Sequence, residues 1–254
     1  TGLAIAYAGT PILFGLCNTV WSFAWWRPDL RPRPAHVRRS QMRELWTIGA
    51  LYFVLQLSAA FAFAADNFIV AMTLGPERVP DLAVPARLFG LVTFALGLLL
   101  RPMWPEYTRA ISLGRVSWVE RTTIRSLVLA TAVAALASAG LLLFGSALTS
   151  ALTRGTVTAS LALLSALGFT TIVVAAGNAL SMVYNAVGAM RFQATVALAM
   201  AAVVLTLKIT LVGPLGVTGV ALGGAVGYTM ISGTAFAWYT PGVFRRLRAD
   251  GSAA

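Results

Sequence analysis

WTIGALYFVLQLSAAFAFAADNFIVAMTL, residues 46–74, is a run of 29 residues with a single ionisable side chain, Asp66, and it stops at Gly75-Pro76. Roughly 20 apolar residues in a helix cross the hydrocarbon core of a bilayer. A second apolar run follows at once, from about Val79 to Leu100, so the two read as antiparallel membrane helices joined by a tight turn. The composition agrees, with 58% hydrophobic and 11% charged residues. That is too little charge to clothe a surface in water, so much of this surface faces lipid. The expected fold is an all-α, polytopic transmembrane helix bundle.

Working outward from this hairpin, about seven spans emerge. They cover about Leu3–Trp25, Trp46–Leu74, Val79–Leu100, Ser126–Leu148, Val157–Met190, Phe192–Val212 and Gly216–Tyr239. The first ends in the interfacial aromatics Trp21, Trp25 and Trp26. A proline-broken linker, Arg27–Glu44, carries six arginines and His36. A second basic linker, Arg101–Arg125, has room for a short interfacial helix at about Glu106–Ile111. The fifth run is longer than one bilayer thickness, which predicts tilt, protrusion, or a kink at Gly168 or Gly177.

Basic residues sit in alternate linkers: fifteen in Arg27–Arg43, Arg101–Arg125, Arg191 and Arg245–Arg248, against two, Arg78 and Arg154, in the others. The positive-inside rule makes the rich side cytoplasmic, with the C-terminus inside and the first helix starting outside. The net charge of +11 is therefore read as a topology signal and not as a nucleic-acid surface. Cys17, the one cysteine, excludes an internal disulfide and a cysteine metal site, and reads as packing. The chain starts at Thr1 with an apolar segment already under way, which suggests a piece of a longer protein.

Three ionisable residues remain inside spans: Asp66, Arg87 and Lys208. A charge at that depth costs a few kcal/mol on lenient scales, so each needs a partner or a polar cavity. Asp66 and Arg87 both lie roughly 12 Å from the Gly75-Pro76 turn by helical rise, so they are level and able to pair across the hairpin. Lys208 lies roughly 8 Å from the outer end of its span. One reading is a structural ion pair plus a lysine that snorkels outward. The other is a hydrated cavity whose cations hold an anionic substrate, with Asp66 coupling to an ion or tuning Arg87.

Asn178, Ser181, Tyr184 and Asn185 share a helix face and could serve either substrate or helix–helix hydrogen bonding. Gly219, Gly223 and Gly227 form a small-residue stripe, read as helix packing. Pro85 is expected to loosen the third span beside Arg87. No phosphate-binding loop, HExxH, DxxD or histidine pair is present, so neither enzyme chemistry, cofactor nor metal is expected.

ADNFIVAMTLGPERVPDLAVPARLFGL (residues 65–91) resembles the seventh and eighth helices of the polysaccharide (O-antigen and teichoic-acid) flippases of the multidrug/oligosaccharidyl-lipid/polysaccharide exporter superfamily. The shared elements are Asp66, the Leu74-Gly75 turn and Ala86-Arg87-Leu88. RPMWPEYTRAISLGRVSWVERT (residues 101–122) is similar to that family's cytoplasmic linker, and NAVGAMRFQATVALAMAAVVLTLKITLVGPLGVTGVALG (residues 185–223) to its penultimate hairpin. The chain departs from the pattern at Pro80-Asp81-Leu82, where the family usually has a tyrosine or similar residue before the Ala-x-Arg element.

The resemblance implies two six-helix bundles working by alternating access on a polyprenyl-diphosphate-linked oligosaccharide. On that mapping residues 1–26 are the last helix of a mostly missing N-terminal bundle, 27–45 a cytoplasmic linker, 46–240 the C-terminal six-helix bundle and 241–254 a cytoplasmic tail. Arg87, Lys208, Asn178 and Asn185 would face the substrate, and Asp66 would respond to a proton or sodium ion. The setting would be the bacterial plasma membrane, with membrane lipids and glycan-assembly enzymes as partners. A peptidoglycan-precursor flippase or a drug/cation antiporter of the same superfamily remains open, as does a glycan polymerase or ligase. The few-residue outer loops and the lack of surplus cavity acids count against the last two and the antiporter respectively.

Overall fold

The computed structural model describes residues 2–31 and 39–251, and all regular structure among them is helical. His36, with the rest of residues 32–38, lies outside the described residues. The chain forms two units, residues 1–48 and 49–254. In the first, α1 (Gly2–Trp21) runs through Pro11 into a π turn at Ser22–Trp26, followed by a 3-10 turn at Pro28–Leu30. Arg27 and Asp29 pair at 2.8 Å on its surface. Cys17, expected to be packing, is exposed on α1.

The second unit holds the bundle. Helix α2 (Arg39–Ala59) crosses into it and passes through a π turn, Ala60–Ala64, into α3 (Asp66–Leu74). Gly75 then turns the chain with φ 101°, a conformation open to glycine at no steric cost. Helix α4 (Val79–Leu100) returns, and α5 (Met103–Ser112) is the short amphipathic helix expected in the basic linker. Next come α6 (Val116–Leu152) and α7 (Leu161–Ala186). Helix α8 (Met190–Tyr228) leads through a π turn, Thr229–Gly233, into α9 (Thr234–Gly251).

Five continuous helical runs among the described residues are long and apolar enough to cross a membrane, the last being Met190–Ala249. That last run is two helices in space. Gly216 adopts φ 59°, ψ −145° and reverses the chain. Beyond it, Gly219 lies on the Leu211 carbonyl, Gly223 on the backbone of Leu207 and Lys208, and Gly227 on Val204. A methyl group at any of the three would come within 2.7 Å of those atoms. The glycine stripe is thus the close seam of an antiparallel hairpin, as its four-residue spacing suggested. The expectation of about seven spans counts α1 and the two arms of α8 separately.

Helix α7 is the centre, packing on α4, α5, α6 and α8. Its seam with α6 is built largely from small residues: Ala130, Ala134 and Ser138 face Gly168, Ala175 and Ala179, and Gly145 makes room for Leu164. Ser138 donates to the Gly168 carbonyl at 3.3 Å. On the outside of the bundle Leu99, Leu136, Leu143 and Ile209 stand exposed, an apolar surface suited to lipid and not to water.

Three expectations are corrected. The fifth span is 26 residues long, because Thr156–Ser160 is not helical and Ser160 caps α7 by accepting from the Leu163 amide at 3.2 Å. Gly168 and Gly177 do not kink it; they make room for Ser138 and for the Tyr228 hydroxyl. Pro85 leaves α4 continuous and is itself buried, so the helix irregularity beside the buried charge falls at Ala60–Ala64 instead. A proline's missing donor is tolerated where neighbouring helices cover the turn.

Candidate functional site

A cavity of about 540 Å³ opens between the π turn, α4, α7 and the two arms of α8. Its walls are mainly apolar, with Phe63, Phe89, Phe94, Leu167, Val174 and Met182. The hydroxyls of Thr93, Thr170 and Thr171 are spent on the carbonyls four residues earlier in their own helices. The polar groups that matter are therefore few: Asp66, Lys208, Asn178 and Arg101.

Lys208 lies on the first arm of α8 and is 1% exposed. Its Nζ donates to Asp66 Oδ1 and to the carbonyl of Ala62. The π turn explains the second bond. Widening from i+4 to i+5 hydrogen bonding at Ala60–Ala64 disturbs the regular ladder and leaves a carbonyl for a side-chain donor. Gly224, on the second arm, leaves the space for the lysine stem; a methyl there would sit 3.2 Å from Lys208 Cε. The Phe63 ring lies 5.8 Å from Nζ and offers its face to the cation. A charge with three kinds of partner is held firmly, which meets the demand a buried cation makes.

Asp66 is less enclosed, its side chain retaining 24% exposure toward the cavity. It stands where the π turn ends and α3 begins. Asn178 lines the opposite wall from α7, and its amide makes no hydrogen bond to another described residue. Arg101, one residue past the end of α4, lines the cavity from the arginine-rich end with no ion-pair partner among the described residues.

The expected Asp66–Arg87 pair is not formed. Helix α4 turns Leu82, Pro85 and Phe89 inward, and Arg87 lies about half a helical turn away from that face, exposed. Arg87 does not line the cavity. Lys208 does not snorkel outward; it turns in. Asn185 is also outside, at the α7–α8 turn, where its Oδ1 accepts from Gln193 Nε2 at 2.9 Å. Tyr184 and Ser181 are likewise committed, to Thr240 at 2.7 Å and to the Gly177 carbonyl at 2.8 Å. Of the polar face on α7, Asn178 alone of these four reaches the cavity.

In the sequence Arg101 reads as one of the linker charges. Its direct attachment to Leu100 was the available signal, since a long side chain there can turn back along the helix. No family model, curated protein or solved structure matches the chain.

Proposed function

We propose that this chain is the substrate-binding helical lobe of a flippase that moves a lipid-linked, anionic oligosaccharide across the bacterial plasma membrane, with its C-terminus cytoplasmic. The observation that carries the reading is the Asp66–Lys208 pair on the wall of an amphiphilic cavity inside a lipid-facing bundle. A purely structural pair needs no cavity beside it, and the mainly apolar walls around this one suit a ligand that carries a lipid.

The charge balance favours an anion. Asp66 cancels Lys208, which leaves Arg101 as the uncompensated charge lining the cavity. Arg101 would meet a diphosphate entering from the cytoplasmic leaflet, and Asn178 would bond sugar hydroxyls. A proton or sodium ion at Asp66 would weaken its hold on Lys208 and free that cation for the phosphate, so ion binding and substrate binding share one residue. A second lobe, implied by the resemblance to the exporters, would close the cavity. A drug/cation antiporter would call for excess acid in the cavity, and among the described residues the one carboxylate lining it is already paired.

The test is complementation of a flippase-deficient strain by the gene encoding the chain, followed by Asp66→Asn and Arg101→Gln variants at matched membrane expression. Both variants are expected to lose export. Full export by both would remove the cavity from the mechanism.

A further inference from the structure

A second concavity, of about 570 Å³, lies at the arginine-rich end of the bundle, away from the Asp66–Lys208 pair. Ile111 of α5 and Ala186 and Val187 at the end of α7 form one wall; the other is one face of α9. We propose that this groove holds the phosphate headgroup and glycerol region of an anionic phospholipid from the cytoplasmic leaflet.

The argument rests on how α9 is built. Trp238 and Arg245 are seven residues apart, as are Tyr239 and Arg246, so each aromatic lies on the same face as an arginine about 10 Å further along the axis. That is the order of a bilayer edge read from the core outward: aromatic rings belong at the level of the glycerol region, and guanidinium groups at the phosphate. Trp238 is 81% exposed, with nothing of the bundle covering its ring. Tyr239 is fixed by stacking on Phe192, at 3.8 Å between centroids and 13° between planes.

The charges are free to act. Arg245 and Arg246 are exposed and, among the described residues, they have no ion-pair partner and no carboxylate lines the groove. Their neighbour Arg248 is different: it binds Glu120 on α6. The helix is seated by its buried Phe236, Val243 and Phe244, with Arg248 taken up by Glu120, while Arg245 and Arg246 both line the groove. Two guanidiniums suit one phosphate by multiple charge-assisted hydrogen bonds. The apolar half of the groove is what distinguishes a phospholipid from free phosphate.

Native mass spectrometry of the protein released from nanodiscs of phosphatidylcholine and phosphatidylglycerol tests this. Wild type is expected to retain phosphatidylglycerol in preference. Arg245→Gln with Arg246→Gln should lower that retention about tenfold or more. Trp238→Ala, with all charges intact, should lower it several-fold. Arg115→Gln with Arg121→Gln, on the same basic side but outside the groove, should not. Equal retention in the Arg245/Arg246 variant, or an equal loss in the control, overturns the site. Displacement of the lipid by inorganic phosphate at physiological concentration would make it a free-phosphate site and overturn the lipid assignment. All the substituted side chains are exposed, and Ile111 and its apolar neighbours stay untouched, so an unchanged melting temperature identifies folded variants.

Discussion

Lys208 and Asp66, 142 residues apart in sequence, meet inside the bundle as an ion pair that also takes in the carbonyl of Ala62. The pair ties the α8 hairpin to the hairpin of α2–α3 and α4, and both of its members line the cavity, Asp66 with the more exposed side chain.

Breaking it from one side leaves an unpaired charge in a low-dielectric setting. Lys208→Ala and Asp66→Ala are each expected to destabilise the bundle by about 3 kcal/mol. Replacing both by apolar residues of similar size should recover much of that loss. Denaturant unfolding in detergent, run as a double-mutant cycle, measures the coupling; additive losses would show that the two side chains do not depend on each other.

The α8 hairpin makes a prediction about glycine. A methyl on Gly227 would meet Val204 Cγ2 at 2.7 Å and its Cα at 3.0 Å, so Gly227→Ala must push the arms apart. A cost of about 1–3 kcal/mol is expected. Gly140, in the middle of α6, has open space around it, and Gly140→Ala should be neutral or stabilising by up to about 1 kcal/mol. Melting temperatures of the two variants side by side decide the point.

Gly216 carries a different burden. Its φ of 59° with ψ of −145° belongs to a region that L-residues avoid, although the space around it is open. Gly216→Ala is therefore expected to cost about 1–3 kcal/mol through backbone strain alone. Gly213→Ala, three residues earlier and also uncrowded, should not. Similar melting of both variants would mean that the reversal does not depend on glycine at this position.

Arg101 and Arg87 separate the cavity from the rest of the surface. Arg101→Gln should abolish or strongly reduce export in the complementation assay, and Asn178→Ala should reduce it more mildly. Arg87→Ala should leave it near wild type, because that side chain lies off the cavity. The reverse order of effects would place the substrate on the outer face of α4.

Orientation can be checked by single cysteines in a Cys17→Ser background. A cysteine at Leu113, in the turn after α5, should react only with a reagent admitted to the cytoplasm. A cysteine at Arg154, in the turn after α6, should react from outside. Labelling of both from one side would overturn the antiparallel reading of α6.

The membrane-spanning class was legible because it depends on composition and run length alone, which residues 46–74 carry in plain view. The turn at Gly75-Pro76 was legible too, as was the break between the spans that end at Val212 and begin at Gly216, since proline and glycine restrict or free the backbone locally. Helix ends were less so. The fifth span looked longer than it is because Val157 and Ala159 are apolar whether they sit in a helix or, as they do, in a buried extended segment before Ser160.

What the sequence by itself determined is that Asp66 and Lys208 each needed a partner, since a lone charge in an apolar run is too costly to leave unmatched. Which partner each took was decided by tertiary structure alone. Asp66 and Arg87 are close in sequence and level by helical count, but α4 turns Leu82, Pro85 and Phe89 inward and leaves Arg87 outside. The glycines at positions 223 and 224 let the second arm of α8 approach the first so closely that Lys208 can lie flat between them and reach Asp66. Depth in a membrane is set by counting along one helix. Pairing is set by the rotation of each helix against its neighbours, which only their packing fixes.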